Sequence, residues 1–178
     1  MNKQAEAGQQ SIIQMSWVVP DMEEAARRWH AAMGVGPFLL NRHLTITDPL
    51  YRGQPGAIDF SVAIAQAGEM QIELVEQHDD KPSCYRDMVP AGQEAMHHVA
   101  IMVQDFEAAQ QRYLDQGFEV ASAGYFGKVR FCYIDCRPML GHMVEIVQDC
   151  TPIRKFFGAV RNAAEEWDGN PATLLREM

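Results

Sequence analysis

An α+β fold is what this chain of 178 residues predicts: two tandem βαβββ modules curled into a half-open β-barrel, followed by a C-terminal helical appendage. Three observations carry the prediction. The stretch from Gln14 to Trp29 recurs as His98 to Tyr113, with Val19/Val103, Asp21/Asp105, Glu23/Glu107, Ala25/Ala109 and Arg28/Arg112 identical at a constant offset. Each copy reads as a short alternating strand, a turn closed by Asp, and an amphipathic helix. Each is then followed by three more strand-like runs, so one supersecondary unit is used twice.

Taken in order, residues 1–10 are polar and read as a frayed end. Ile12 to Val19 forms the opening strand, with Gln14, Ser16 and Val18 on one face and Ile13, Met15, Trp17 and Val19 on the other. Asp21 caps a helix that Gly34 ends, and Glu24 completes a capping-box spacing. Gly36-Pro37 breaks the chain before a strand from Phe38 to Leu44. Thr45 to Ala57 carries Pro49, Gly53, Pro55 and Gly56, so it reads as a long loop of the kind that covers a site. Strands at Ile58–Gln66 and Met70–Glu76 close the first module (11–77), and 78–95 is a polar linker with a helical turn near Tyr85 to Val89. The second module (96–150) repeats the plan. Its helix follows Asp105 and stops at Gly117, with strands at Phe118–Ala123, Val129–Cys136 and His142–Val147. Pro152 opens a helix to about Trp167. The segment 151–178 is expected to pack on the core or on a second subunit without taking part in chemistry.

The composition is that of an ordinary folded domain, with 47% hydrophobic and 22% charged residues. A net charge of −9 and the absence of clustered Lys and Arg argue against nucleic acid. No apolar run reaches the roughly 20 residues of a membrane helix, and the first ten residues lack a signal-peptide core, so a cytoplasmic protein is expected. Cys84, Cys132, Cys136 and Cys150 form no CxxC pair and read as reduced, mostly buried thiols.

Four polar residues interrupt apolar strands. Gln14 and His98 open the two repeats, and Glu73 and Glu145 sit in their last strands, Met70–Glu76 and His142–Val147. A carboxylate in the middle of an apolar strand is costly unless paired or bound to a cation. If each unit curls its sheet with the helix on the convex side, alternation points Gln14, Glu73, His98 and Glu145 into one concavity. One imidazole, two carboxylates and an amide oxygen make a ligand set for a divalent ion, whose charge the two carboxylates balance. Arg42, His43, Tyr51, Arg52, Arg130 and Tyr133 are candidates for holding a substrate. His97 reads as structural, on the helix-facing or rim side. Trp17, Trp29, Phe106 and Tyr113 read as core.

The stretches Gln14–Ala25, Ile72–Glu76, His97–Val103 and Gly141–Val147 resemble the vicinal oxygen chelate superfamily, which includes glyoxalases, bleomycin-resistance proteins and extradiol dioxygenases. The resemblance spans residues 11–150 and is nearest the methylmalonyl-CoA epimerase and glyoxalase branch. It implies that His98, the second of the His97-His98 pair, is the ligand, with Glu73 and Glu145 at the ligand positions of the fourth and eighth strands. Gln14 departs from the epimerase pattern, which has His there; the Gln-Glu-His-Glu set is instead similar to that of some glyoxalase I enzymes. The implied cofactor is a divalent ion (Zn, Mg, Mn, Co or Ni). The implied activity is that of an isomerase, epimerase or lyase moving a proton alpha to a carbonyl through a metal-stabilised enolate, with Glu145 the expected base and Glu73 the second candidate. Implied substrates are acyl thioesters, hemithioacetals or oxo/hydroxy acids, and a homodimer is expected. The alternatives are a metal-free ligand-sequestering protein of the bleomycin-resistance type and an extradiol dioxygenase.

Overall fold

The computed structural model describes residues 10–178; residues 1–9, most of the stretch expected to fray, lie outside the described residues. Eleven strands join into one open, curved sheet, and its two central strands are the openers of the two repeats. These are β1 (Ile12–Val18) and β7 (Ala95–Val103), paired antiparallel. On the outer side of β1 lies β6 (Met70–Gln77), parallel to it, and on the outer side of β7 lies β10 (Met143–Gln148), again parallel. The seam between the halves therefore has local two-fold character. Beyond β6 come β5 (Phe60–Ala67) and β2 (Phe38–Asn41); beyond β10 come β9 (Val129–Ile134) and β8 (Val120–Phe126).

Helices α1 (Met22–Met33) and α2 (Phe106–Leu114) cover the convex face. The Asp21 and Asp105 carboxylates accept hydrogen bonds from Glu24 N and Ala108 N at 2.9 Å, satisfying amide donors of the first helical turn. Under α1 pack Met22, Ala25 and Ala26 with Leu40, Ala63, Ile72 and Leu74; under α2 pack Phe106 and Ala109 with Val99, Ile101, Cys132, Ile134 and Cys136. Trp17 and Trp29 meet edge-on, with ring centroids 4.9 Å apart. The four cysteines are free thiols.

Two expectations need correction. The loop at 45–57 contains β3 (Thr47–Tyr51) and β4 (Gln54–Pro55), which extend the sheet beyond β8 and so belong, by pairing, to the other half of the molecule. Proline is tolerated there because β4 is an edge strand. Gly124 permits the approach: a Cβ at that position would lie 2.5 Å from Ile46. The linker is no plain polar connector either, since Cys84, Tyr85 and Val89 are buried in the concave core. The C-terminal segment packs on the core, as expected, and does so from the concave side. α4 (Thr151–Glu165) packs against β5, with Val160 fully buried among Val18, Val62, Ile64 and Val75. The tail then returns as β11 (Leu175–Glu177), parallel to β2. Gly36 makes room for this return, because a Cβ there would lie 2.6 Å from the Trp167 ring. No helix among the described residues is long and apolar enough to cross a membrane.

Candidate metal centre

The four central strands bring His98, Glu73 and Glu145 together on the concave face. His98 Nε2 lies 3.3 Å from Glu73 Oε2 and 3.5 Å from Glu145 Oε2, with the imidazole fully buried and both carboxylates about nine-tenths buried. Gln14 is 3% exposed and lines the same cavity as the two carboxylates. Register explains the convergence. Ser16 faces Glu73 on one side and His98 on the other, Gln14 lies two residues away along β1, and Ala100 faces Glu145.

Two hydrogen-bonded relays orient these groups. His97 Nε2 lies 2.9 Å from the Cys84 carbonyl oxygen, which can only accept, so Nε2 carries the proton. His97 is neutral, because burial and then the neighbouring His98 push it down to about 3. Its Nδ1 is therefore an acceptor, and His98 Nδ1–H donates to it across 2.9 Å. That fixes the tautomer of His98 and turns Nε2 toward the carboxylates. A chain of amides does the same for Gln14, whose Nε2 donates to Gln71 Oε1 as Gln71 Nε2 donates to Gln66 Oε1. The nitrogen is thereby engaged, leaving Oε1 as the atom a cation would meet.

The expectation that His97 lies on the helix-facing or rim side is corrected here. A register shift between Ser16 and Trp17 opposite β7 breaks the alternation at this point. His97 is fully buried and packs against Tyr85 and Tyr133 on the cavity side. A bulge re-aims a side chain in this way, and composition alone gives no sign of it.

The centre fits a divalent cation. His98 Nε2 and Glu73 Oε2 are buried atoms with no hydrogen-bond partner, although they face each other. A ring lone pair beside two carboxylates is repulsive unless something positive lies between them. Two ligand atoms about 2.1 Å from one ion stand roughly 3.0 Å apart at octahedral and roughly 3.4 Å apart at tetrahedral angles, close to the separations seen here. A proton can also fill the role. Burial disfavours the charged imidazole, yet the adjacent Glu145 and Glu73 carboxylates outweigh it and raise His98 to about 9. Burial pushes the Glu145 carboxyl up; His98 opposes the shift and Glu73 adds to it. Directly opposite Glu145 in the β9–β10 ladder is Tyr133, whose hydroxyl is 3.2 Å from that of Tyr85.

Of the six residues expected to hold substrate, Tyr133 lines this cavity. Tyr51 lines a neighbouring one and donates to Asp87. The others are engaged elsewhere: Arg42 with Glu23 and Glu177, Arg52 with Asp87 and Asp135, and Arg130 with Glu107 while stacked on Phe106. His43 joins Asp59 and His78 in a surface grouping whose ligand atoms lie within 4.8 Å of one another. There the ring nitrogens are partnered, His43 Nδ1 by Asp59 at 2.6 Å and His78 Nε2 by Ser61 at 2.7 Å, unlike His98 Nε2. Among the cavity residues that sequence reasoning missed are Ile153, Phe156 and Phe157 on α4. Their signal was the adjacent pair of phenylalanines on an amphipathic helix.

The sequence profile of the glyoxalase/bleomycin resistance protein/dioxygenase superfamily matches residues 13–133. The chain belongs to that superfamily. Among curated proteins, no sequence matches it. Similar solved structures include the methylmalonyl-CoA epimerase from Mycobacterium tuberculosis, at 17% identity and a TM-score of 0.53 over 81% of this chain and 91% of that one. A hypothetical protein from Bacillus halodurans C-125 aligns at 14% identity and a TM-score of 0.57 over 79% and 95%. A methylmalonyl-CoA epimerase in complex with methylmalonyl-CoA and NH4+ aligns at 14% identity and a TM-score of 0.51 over 80% and 96%. At these identities the likeness is one of fold.

Proposed function

We propose that this member of the superfamily is a metal-dependent isomerase, epimerase or lyase that moves a proton at the carbon next to a carbonyl. The observation that carries the reading is the convergence of His98, Glu73 and Glu145 around unpartnered buried atoms beside Gln14. His98 Nε2, Glu73, Glu145 and the Gln14 amide oxygen would hold the ion. A divalent ion bound there supplies a Lewis acid that polarises a carbonyl and favours its enolate.

Glu145 takes the C–H proton. Its burial raises its basicity toward the range a general base needs, and it borders the open cavity. Glu73, on the symmetry-related strand, is placed to hold or return the proton from the other side. The Tyr85–Tyr133 pair keeps its hydroxyl protons, since burial pushes both phenols well above their ordinary range, so these groups act as hydrogen-bond donors. His97 is a positioning residue acting through His98.

Solvent-deuterium incorporation into 2-hydroxy ketones and 2-methyl-acyl thioesters tests the reading, with metal-loaded and chelator-treated protein compared. Exchange that needs both the metal and Glu145 supports it. Stoichiometric ligand binding without any exchange would identify a sequestering protein instead.

A further inference from the structure

The cavity in front of the candidate ligands has a polar floor and apolar walls. Gln14, Asn41, Glu73, Glu145 and the Tyr85 and Tyr133 hydroxyls form its polar part. Its walls come from three separate elements: Phe60, Val62 and Ile64 on β5, Phe126, Val129 and Phe131 at the β8–β9 hairpin, and Ile153, Phe156 and Phe157 on α4. Its volume is about 100 Å³, and a second apolar cavity of about 50 Å³ shares Ile46, Phe60, Phe131 and the two tyrosines as walls. For scale, a cavity of about 150 Å³ lined by similar side chains admits benzene.

The lining of the main cavity contains no Lys, Arg or His. The arginines next to lining residues in the chain are already paired: Arg42 with Glu23 and Glu177, Arg130 with Glu107, and Arg154 with Asp149. A divalent ion would be balanced by Glu73 and Glu145, leaving no net positive charge for a substrate carboxylate or phosphate. Burying an unpaired anion there would be costly, whereas each apolar group placed against these walls is favourable. α4 also covers part of the concave face.

We infer that the substrate is a small, uncharged, largely apolar carbonyl compound, aromatic or branched aliphatic, with its oxygens at the polar end of the cavity. This deepens the proton-transfer reading and rests on it. The walls make the choice within the broader class: a thioester of coenzyme A or an anionic hemithioacetal brings charges that this site does not answer.

Calorimetric titration with three probes tests the inference: hydroxyacetone, 2-hydroxyacetophenone and free coenzyme A, each against metal-loaded and metal-stripped protein. The first two share the vicinal oxygens and differ in the apolar group. Expected is binding of 2-hydroxyacetophenone about tenfold or more tighter than hydroxyacetone in both forms of the protein, with no binding of coenzyme A. Phe156→Ser should reduce that ratio to about threefold or less. Phe126→Ser, at the partly exposed hairpin tip where folding is not at stake, should lower it as well. Equal affinities for the two ketones, or coenzyme A binding more tightly than either, would overturn the inference. Metal stripping separates the two readings. If it weakens both ketones alike, the metal centre stands whatever the ratio; if it changes neither, the metal reading fails while the apolar preference is still measured.

Discussion

Replacing His97 by phenylalanine keeps the ring's bulk and removes both of its polar contacts. Two buried groups lose their partners, the His98 Nδ1–H and the Cys84 carbonyl. Each orphaned group costs about 1–3 kcal/mol, so a stability loss of about 2–6 kcal/mol is expected. The more telling effect is on the metal. Without an acceptor at Nδ1, the His98 proton is free to move to Nε2, and the lone pair facing Glu73 and Glu145 is lost for part of the population. Outer partners of this kind are worth about 10–100-fold in metal affinity. Competition titration against a chromogenic chelator at neutral pH measures it directly. His97→Gln, which offers an oxygen to His98 and an amide N–H to Cys84, should recover much of the affinity. A His97→Phe protein that loses stability yet binds metal within about twofold of the wild type would show that His97 packs without orienting, and the relay would be wrong.

Protein purified without chelator should hold one divalent ion that elemental analysis finds lost in His98→Ala and Glu73→Gln; retention in those variants, with loss in the His43→Ala/His78→Ala double variant, would relocate the site to the surface grouping. Glu145→Gln keeps an oxygen at the ion and should slow solvent-deuterium exchange by about 10²–10⁴-fold, the usual contribution of a general base. In metal-stripped protein, His98 is held up to about 9. Because the folded value lies above the unfolded one, this stabilisation is complete below about 6.5 and is lost as pH rises through about 9; thermal melts should show the loss in the stripped form, and metal loading should remove it. Arg137, against burial and with help from Arg52, holds Asp135 well below the usual carboxylate range. The sign is opposite there: stability is present above about 3.9 and lost as pH falls through the depressed value, so Asp135→Asn should destabilise by about 1–3 kcal/mol near neutrality, with a gap that narrows in acid.

The convergence of Glu73, His98 and Glu145 was legible in the sequence because a strand's period of two is unforgiving. Once Ile72/Leu74 and Val144/Ile146 are assigned to the helix side, Glu73 and Glu145 have only the concave face left. The helices were equally readable, since Asp21, Gly34 and Asp105 each have a definite backbone task. What escaped depends on longer-range choices. The β3–β4 hairpin is rich in Pro and Gly and becomes sheet only because β8, contributed by the second repeat, offers it an edge. The position of His97 follows from a register shift, which leaves no compositional trace. α4 announced an apolar face without naming its partner, and that partner proved to be the cavity itself. The arginines of the second strand and the following segment looked available because nothing in a linear chain reveals that Glu23, Asp87 and Asp135 will reach them first.

α4 is anchored at both ends. The Asp149 amide donates to the Val103 carbonyl at 2.7 Å just before it begins, and β11 is laced into the sheet shortly after it ends. A helix held this way is a fixed rib. It is poorly placed to swing like a hinged cover, so any gating of the open cavity falls to the aromatic rings in its wall. Ring rotations are commonly far quicker than domain-scale gating. Turnover in this protein should accordingly show little dependence on solvent viscosity, and its speed should track the bulk of Phe156 and Phe157 more than the length of any loop.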